Sequence, residues 1–245
     1  MFAPPYTDAD RLDADMRYQG YAILRPRSVG QWVEGGLGAL EALHPSWDRL
    51  PPDAYLRDGG RYRRRRHACY VTDGTSLEAV PRRPHWQPVA YNALHGGIER
   101  WFEPVEPVVA RSAAWTSLLQ ELARRCTVLK PGAGPWYVEA HQFRIDTTDG
   151  IGRPTPEGAH RDGVDFVAVV LVGRHAVKGG ETRVFEADGP QGLRFTLDEP
   201  WTVLLLDDER VIHETTPIQP DGAAVGYRDT LVLTYRSGGF QGPAA

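Results

Sequence analysis

The chain has 245 residues, of which 41% are hydrophobic and 24% are charged, as in an ordinary soluble globular protein. Its 28 Lys and Arg residues against 32 Asp and Glu residues give a formal net charge of −4, which disfavours a dedicated nucleic-acid binder. The two cysteines, Cys69 and Cys126, exclude a disulfide framework and a cysteine-rich zinc site, and they fit a reducing cytoplasm.

The N-terminus lacks the features of a targeting segment. Residues 1–20 carry four aspartates and have neither the basic start nor the apolar core of a signal peptide. The longest apolar runs, such as 167–172, are far shorter than the roughly 20 residues that span a bilayer. We therefore expect a cytoplasmic protein that makes no membrane contact.

The first half of the chain is predicted to be rich in helix. A short strand is expected at 20–24 and a longer one at 61–72, with helices at 31–43 and within 88–102. The strongest helix prediction lies within 107–128, where Trp115, Leu118, Leu119 and Leu122 form an apolar stripe. The high content of glycine and proline, 26 and 20 residues, favours short elements elsewhere.

After residue 135 the pattern changes to short strands separated by turns that are rich in Gly, Pro and Asp. The strands are expected at 137–146, 166–172, 182–187, 193–197, 202–207 and 230–236. Several strands at this spacing predict a β-sandwich or barrel. Because no flexible linker separates the halves, we expect a single domain over 1–245, with an α-rich half (1–135) packed on a β-rich core (136–237).

His160, Asp162 and His213 are the predicted metal ligands. In an extended segment, residues i and i+2 point to the same side, so His160 and Asp162 can reach one ion. His213 follows 51 residues after Asp162 and can supply the third ligand. Two histidines and one carboxylate on one face of an ion suit non-haem Fe(II), with three coordination positions left open. Glu139 and His141 form a competing pair with the same spacing, but they lack a third ligand and an anchor in matching order.

Arg228 is the predicted partner of an organic cosubstrate. It opens the last strong strand, 15 residues after His213, and shares a strand face with Thr230. A guanidinium can bind a carboxylate through two hydrogen bonds, to which a hydroxyl can add a third. An arginine at this interval after an iron triad is what a 2-oxoglutarate site requires, with Arg236 as the second choice.

Four motifs resemble those of a bacterial group of Fe(II)/2-oxoglutarate-dependent dioxygenases. They are Pro156-Glu-Gly-Ala-His160-Arg-Asp162-Gly-Val-Asp165-Phe166, Gly179-Gly-Glu-Thr182, Ile212-His213-Glu214 and Tyr227-Arg228-Asp-Thr230. The group includes free L-amino-acid hydroxylases similar to L-isoleucine 4-hydroxylase, and proteins named for effects on biofilm, stress and motility. The resemblance implies a double-stranded β-helix (jelly roll) with flanking N-terminal helices. It also implies Fe(II), 2-oxoglutarate and O2 as cofactors, and hydroxylation of a small substrate, a free L-amino acid.

The resemblance also suggests further site residues. It places the strand at 137–146 beside the cofactor, so that Gln142 is a candidate cofactor contact and Arg144 a candidate substrate contact. A solvated edge or a structural ion pair explains each of these two residues equally well. Asp165 is a candidate for holding a substrate ammonium, although a capping role in the loop after Asp162 explains it equally well.

The run Arg61-Tyr-Arg63-Arg64-Arg65-Arg66-His67 admits three interpretations. Strand alternation puts Arg61, Arg63, Arg65 and His67 on one face, which could enter the pocket and bind a substrate carboxylate through Arg63 and Arg65. A solvated face paired with acidic residues is the plainer interpretation, and nucleic-acid binding is the least favoured.

Two other functions remain open from the sequence. One is a metal-dependent, cupin-like enzyme that does not use 2-oxoglutarate. The other is a regulatory binding module on the same fold that has lost catalysis, against which the intact triad argues.

Overall fold

A seven-stranded antiparallel sheet is the centre of the structure, a computed structural model that describes residues 2–222 and 225–243. In order across the sheet, its strands are β1 (Tyr21–Leu24), β9 (Val203–Asp207), β5 (Phe166–His175), β12 (Tyr227–Ser237), β4 (Trp136–Asp146), β2 (Arg63–Thr72) and β3 (Leu77–Ala79). The two halves of the chain therefore share one sheet, because β1, β2 and β3 come from the first half.

Smaller sheets accompany the main sheet. One consists of β10 (Val211–Thr215), β7 (Thr182–Glu186) and β8 (Gly192–Phe195), in that order. The other pairs β11 (Ile218–Pro220) with β6 (Val177–Gly179). The predicted strands of the second half are thus confirmed within a few residues, while β6, β10 and β11 were not predicted.

Helices of 4 to 17 residues lie before and after the first strands of the main sheet in the chain. They are α1 (Leu12–Gln19), α2 (Pro26–Gly30), α3 (Gly36–Glu41), α4 (Pro107–Ala110) and α5 (Ala113–Leu129), with 3-10 turns at Ala9–Arg11 and His44–Arg49. The side chain of Ser112 caps α5 by accepting a hydrogen bond from the backbone of Trp115, and the predicted apolar stripe of this helix is fully buried. Within the described residues, no helix has both the length and the apolar character to cross a bilayer.

Strand alternation directs the apolar residues of β5 into two different cores. Along β5, Phe166, Ala168 and Val170 belong to the core shared with the helices. Val167 and Leu171 face the other way and pack with the small sheet, through residues such as Val184 of β7. The main sheet is therefore covered by helices on one face and by the small sheet on the other.

One of the helix predictions is wrong in part, and one is wrong altogether. The helix expected at 31–43 is reduced to Gly36–Glu41, because Gly35 and Gly36 adopt φ values of +82° and +71°. The helix expected within 107–128 is confirmed as α5, and the short α4 precedes it, with Arg111 and Ser112 between the two.

Residues 88–102 form turns instead of the predicted helix. The carbonyl of Pro88 accepts hydrogen bonds from the backbones of Tyr91 and Asn92, and the side chain of Asn92 accepts one from the backbone of His95. Such local side-chain bonds compete with helix formation, and Gly96 and Gly97 then turn the chain back to Gln87. The segment crosses the space between the sheets as a loop.

Candidate active site

The structure brings His160, Asp162 and His213 together between the main sheet and the small sheet. Ligand atoms of the three side chains all lie within 4.8 Å of one another. Nε2 of His160 is 3.9 Å from Oδ1 of Asp162, and Nε2 of His213 is 3.8 Å from Oδ2. His160 and His213 are held side by side by two backbone hydrogen bonds of 3.0 Å, which explains how residues so distant in the sequence meet.

The hydrogen bonds around the triad prepare it for a metal ion. Nδ1 of His160 donates to the carbonyl of Gly158 over 2.9 Å, which leaves the lone pair on Nε2. Burial, and then the neighbouring His160, lower the pKa of His213 well below its usual range, so this ring is neutral. Burial lowers the pKa of His160, but the charges of Asp162 and Glu157 outweigh burial and raise that pKa. A metal ion would therefore compete with a proton for Nε2 of His160, and two imidazoles with one carboxylate fit Fe(II).

The backbone around Asp162 is fixed by Asp208. The carboxylate of Asp208 accepts hydrogen bonds from the backbone nitrogens of Asp162, Gly163 and Val164 at 3.0, 2.7 and 3.1 Å. Gly163 has φ of +75°, and a side chain there would meet the ring of Tyr91 at 2.5 Å, so the turn requires glycine. Burial, and then the charge of Asp162, raise the pKa of Asp208 to about 7.

Arg228 enters the same cavity from β12. Its side chain is buried, and Nε and Nη2 have no hydrogen-bond partner among the described residues. Burial, and then the charge of Arg174, lower the pKa of Arg228 to about 10. Thr230, two residues along, also lines the cavity, as alternation predicts. A buried guanidinium with two free donors is suited to a carboxylate that the protein itself does not supply.

The cavity between the sheets encloses about 830 Å³, part of it open to solvent. The triad and Arg228 line it together with apolar side chains from β4, β5 and β12, among them Phe143, Val169 and Val232. Polar groups that can bind ligands and apolar side chains thus line one space, as in small-molecule sites.

Comparisons with known proteins agree with this geometry. A model of the 2OG-Fe dioxygenase family matches residues 44–234. A bsmA homologue of known structure from Methylobium petroleophilum PM1 is 53% identical, with a TM-score of 0.92 over 99% of this chain and 98% of that one. The chain belongs to the 2OG-Fe dioxygenase family. As a member of this family, the enzyme uses Fe(II), 2-oxoglutarate and O2.

Two more distant structures show the fold alone. IDO from Bacillus thuringiensis is 15% identical, with a TM-score of 0.77 over 98% of this chain and 100% of that one. The Fe(II)/α-ketoglutarate-dependent dioxygenase TqaL is 19% identical, with a TM-score of 0.71 over 93% and 86% of the two chains. No curated protein matches the chain. The comparisons lend no support to a metal enzyme without 2-oxoglutarate or to a silent binding module.

The dioxygenase has a second polar region in the same cavity, formed by β2 and by the loop at 88–102. Arg63 and Arg65 of β2 line this part of the cavity, and Arg100 joins them from the loop at 88–102. We call these three residues the arginine wall. Each is at most 6% exposed. The sequence pattern had marked Arg63 and Arg65 as candidates, whereas nothing in the local sequence marked Arg100.

Three predicted residues lie outside the cavity, which corrects the placement expected for them. Gln142 is buried on the helix side of β4 and donates to Oγ of Ser46 over 2.8 Å. Arg144, on the same side, pairs with Asp229 at 2.7 Å and with Asp48 at 2.8 Å.

Gln142 and Arg144 point away from the cavity because they share a face of β4 with Val138 and Ala140. These two residues are buried in the core on the helix side of the sheet. The third residue, Asp165, accepts a hydrogen bond from the backbone of Ser237 over 2.7 Å and is paired with Lys130.

Glu139 and His141, the competing pair of the sequence, are part of a separate buried cluster. Oε2 of Glu139 lies 2.9 Å from Nε2 of His67 and 2.5 Å from Nδ1 of His85, and it is 3.6 Å from Nε2 of His141. Burial raises the pKa of Glu139, but the two closer histidines outweigh burial and hold that pKa below its usual range. The cluster therefore carries a carboxylate at neutral pH.

Gln87 and Glu157 are cavity residues that the sequence analysis did not identify. Gln87 lies just before the segment that was expected to be helical, and its amide donates to Oδ1 of Asp162. Glu157 belongs to the sequence motif around His160, and this motif was the signal from which Glu157 could have been predicted as a site residue. Its Oε1 lies 3.6 Å from Nε2 of His160, and its Oε2 is buried without a partner among the described residues.

Proposed function

We propose that the enzyme hydroxylates a small substrate, a free L-amino acid, with iron held by His160, Asp162 and His213. Arg228 binds the distal carboxylate of 2-oxoglutarate, and Thr230 assists it through its hydroxyl. The observation that carries this assignment is that the triad and the unpaired guanidinium of Arg228 open into one cavity. A chelating keto acid needs both partners at once.

The chain's own groups have distinct tasks in this reaction. When bound, iron and 2-oxoglutarate supply the oxidising power that converts a C–H bond into an alcohol. The imidazoles of His160 and His213 and the carboxylate of Asp162 would hold the ion. The apolar side chains of Phe143, Val169 and Val232 limit the access of water to the reacting centre.

The fold, the domain organisation and the cellular location are part of the same proposal. The main sheet and the small sheet, with two cores between layers, support a jelly roll with flanking N-terminal helices. The sharing of strands between the two halves supports one dioxygenase domain over 1–245. A cytoplasmic location and kinship with the free amino-acid hydroxylases and the biofilm, stress and motility proteins stay proposals that the motifs suggest.

Coupled turnover tests the proposal. The purified protein is incubated with Fe(II), 2-oxoglutarate, ascorbate and each of the free L-amino acids, and succinate and a product heavier by one oxygen atom are measured. We expect both to form together with at least one amino acid, and neither to form with the His160→Ala variant. Succinate at the level of that variant across the panel would overturn the proposal.

A further inference from the structure

The arginine wall gathers three buried positive charges in one part of the cavity. Nε of Arg63 binds Oδ2 of Asp53 over 2.7 Å, and Nη1 of Arg65 lies 3.9 Å from the same oxygen. Arg100 donates through Nη2 to the neutral amide of Gln87 at 3.0 Å. Three guanidinium groups thus face three carboxylates, those of Asp53, Glu139 and Glu157, so the arginine wall is balanced in charge but not in hydrogen bonds.

The free donors of the wall point to a missing anion. Nη2 of Arg63, Nε of Arg65 and Nε of Arg100 are buried and have no hydrogen-bond partner among the described residues. Leaving a buried donor unpaired destabilises the folded protein, and the penalty is larger for a charged group. Burial, and then the charge of Arg63, lower the pKa of Arg100 to about 10, as expected where positive charges lie close together.

The arginine wall is separate from the predicted 2-oxoglutarate site. Arg63 of β2 is in register with Ile145 of β4, and Ile145 is in register with Arg228 of β12. Two strand spacings separate the Cα atoms of Arg63 and Arg228 by about 10 Å. One dicarboxylate bound at the triad and at Arg228 leaves the arginine wall open for a second molecule.

A second metal ion does not explain the region, although the four side chains of the cluster around Glu139 resemble a ligand set. Nη2 of Arg65 lies 2.7 Å from Nδ1 of His141. Arginine can only donate, so Nδ1 accepts and the proton of the neutral ring is on Nε2, the atom that faces Glu139. A protonated Nε2 cannot bind a metal ion, and the charge of Arg65 beside it repels one. The cluster instead holds Arg65 in place.

We propose that the arginine wall binds the carboxylate of the substrate and that Glu157 binds its ammonium group. This inference deepens the proposed function and rests on it. Among the described residues, Oε2 of Glu157 is an unpaired acceptor of the cavity, and the side chain of Glu157 is 12% exposed. Unpaired guanidinium donors and an unpaired carboxylate oxygen in a single cavity complement a zwitterion, so the enzyme selects free amino acids over amides, amines and simple acids.

The test compares probes that differ in one charged group. The probes are L-valine, L-leucine, L-isoleucine and L-methionine, each with its primary amide and its des-amino acid. Binding is measured by calorimetry on protein loaded with Zn(II) and 2-oxoglutarate, and turnover is measured with Fe(II). We expect the wild type to bind the best acid about 100-fold more tightly than its amide, the value of one or two charge-assisted hydrogen bonds.

Variants assign the discrimination to residues. In Arg100→Met we expect the preference for acid over amide to fall below 5-fold through weaker binding of the acid alone. In Glu157→Gln we expect the preference for the amino acid over the des-amino acid to fall below 5-fold, through weaker binding of the amino acid alone. Arg64→Met is the matched control, because Arg64 is on the opposite face of β2, pairs with Asp146 at 3.5 Å and is 40% exposed. It keeps the wild-type preferences.

The outcomes separate this inference from the proposed function. Equal binding of acids and amides by the wild type, or no binding of any acid probe, overturns the arginine wall as a carboxylate site. If Arg100→Met loses affinity equally for the acid and the amide, the carboxylate site is also overturned, because Arg100 then has a purely structural role. If acids bind selectively but no succinate forms with any probe, the inference stands and the proposed hydroxylation fails.

Discussion

Gln87 donates a hydrogen bond from Nε2 to Oδ1 of Asp162 over 3.0 Å. Oε1 of the same amide accepts one from Arg100 over 3.0 Å. One rigid group therefore joins the predicted iron ligand to the arginine wall. Groups that hydrogen-bond a metal ligand fix its orientation, and their loss commonly costs a factor of 10–100 in metal affinity or activity.

The first prediction follows from this contact. Gln87→Leu keeps a side chain of similar size but removes three hydrogen bonds, those with Asp162, Arg100 and Asn92, so the carboxylate of Asp162 can rotate. We expect about 10–100-fold weaker retention of Fe(II), measured by competition with a chelator. Gln191→Leu makes the same change at an exposed turn and keeps the wild-type affinity. Equal affinities of Gln87→Leu and the wild type would show that Asp162 needs no such support.

The triad itself makes a second prediction. His213→Ala removes one of three ligands and should lower the metal content of dialysed protein to background, because two remaining ligands bind divalent ions weakly. His175→Ala is the control, since His175 is an exposed histidine at the end of β5. Elemental analysis of both variants after identical purification decides the question. Full metal content in His213→Ala contradicts the triad.

Alternation along single strands predicted much of this site. The common face of Arg63 and Arg65 is observed, and His160, Asp162 and His213 meet as expected from their spacing. Alternation also places Gln142 and His141 on opposite faces of β4. It does not predict which of these two faces lines the cavity. That choice depends on where the helices pack, and the helices cover the side that carries Gln142.

The loop at 88–102 shows where local pattern fails. The sequence of this loop favours a helix, but the hydrogen bond accepted by the side chain of Asn92 and the turn at Gly96 and Gly97 prevent one from forming. Arg100 and Gln87 reach the cavity only because this segment is a loop. Their contacts join residues that are distant in the sequence, as in the bond from Gln87 to Asp162, so no short window of sequence could predict them.

Arg228 makes the third prediction, on the cosubstrate. In Arg228→Met the apolar stem is kept and the charge is lost, so we expect KM for 2-oxoglutarate to rise about 100-fold, the worth of a bidentate charge-assisted pair. Arg228→Lys should recover part of this loss, because it restores the charge without the second donor. Arg236→Met is the control, since Arg236 of the same strand bonds the carbonyl of Gly239 and does not line the cavity of the triad.

The stability of Arg228→Met adds a second readout. A buried guanidinium with two unpaired donors costs free energy in the protein without cosubstrate. We therefore expect the variant to unfold at the same temperature as the wild type or higher when 2-oxoglutarate is absent. Added 2-oxoglutarate should raise the midpoint of the wild type but not that of the variant. A lowered midpoint without cosubstrate would indicate an internal partner for Arg228.

The last prediction concerns pH and the buried His85. Burial opposes protonation and lowers the pKa of His85 to about 4, against an ordinary value near 6.5. Between these values the unfolded chain binds a proton at this site that the folded protein does not, so stability falls as the pH is lowered. The full effect from pH 7 to pH 4 is about 3 kcal/mol, or about 1.4 kcal/mol per pH unit inside the window.

Urea unfolding of metal-free protein in steps from pH 5 to pH 6.5, followed by tryptophan fluorescence, measures this slope. His85→Asn replaces the imidazole with a group that does not titrate but can still donate to Glu139, so the slope should fall by about 1.4 kcal/mol per pH unit. His175→Asn, at an exposed position, should keep the slope of the wild type. Parallel pH dependences of His85→Asn and the wild type would mean that the folded protein accepts a proton on His85 as readily as the unfolded chain does.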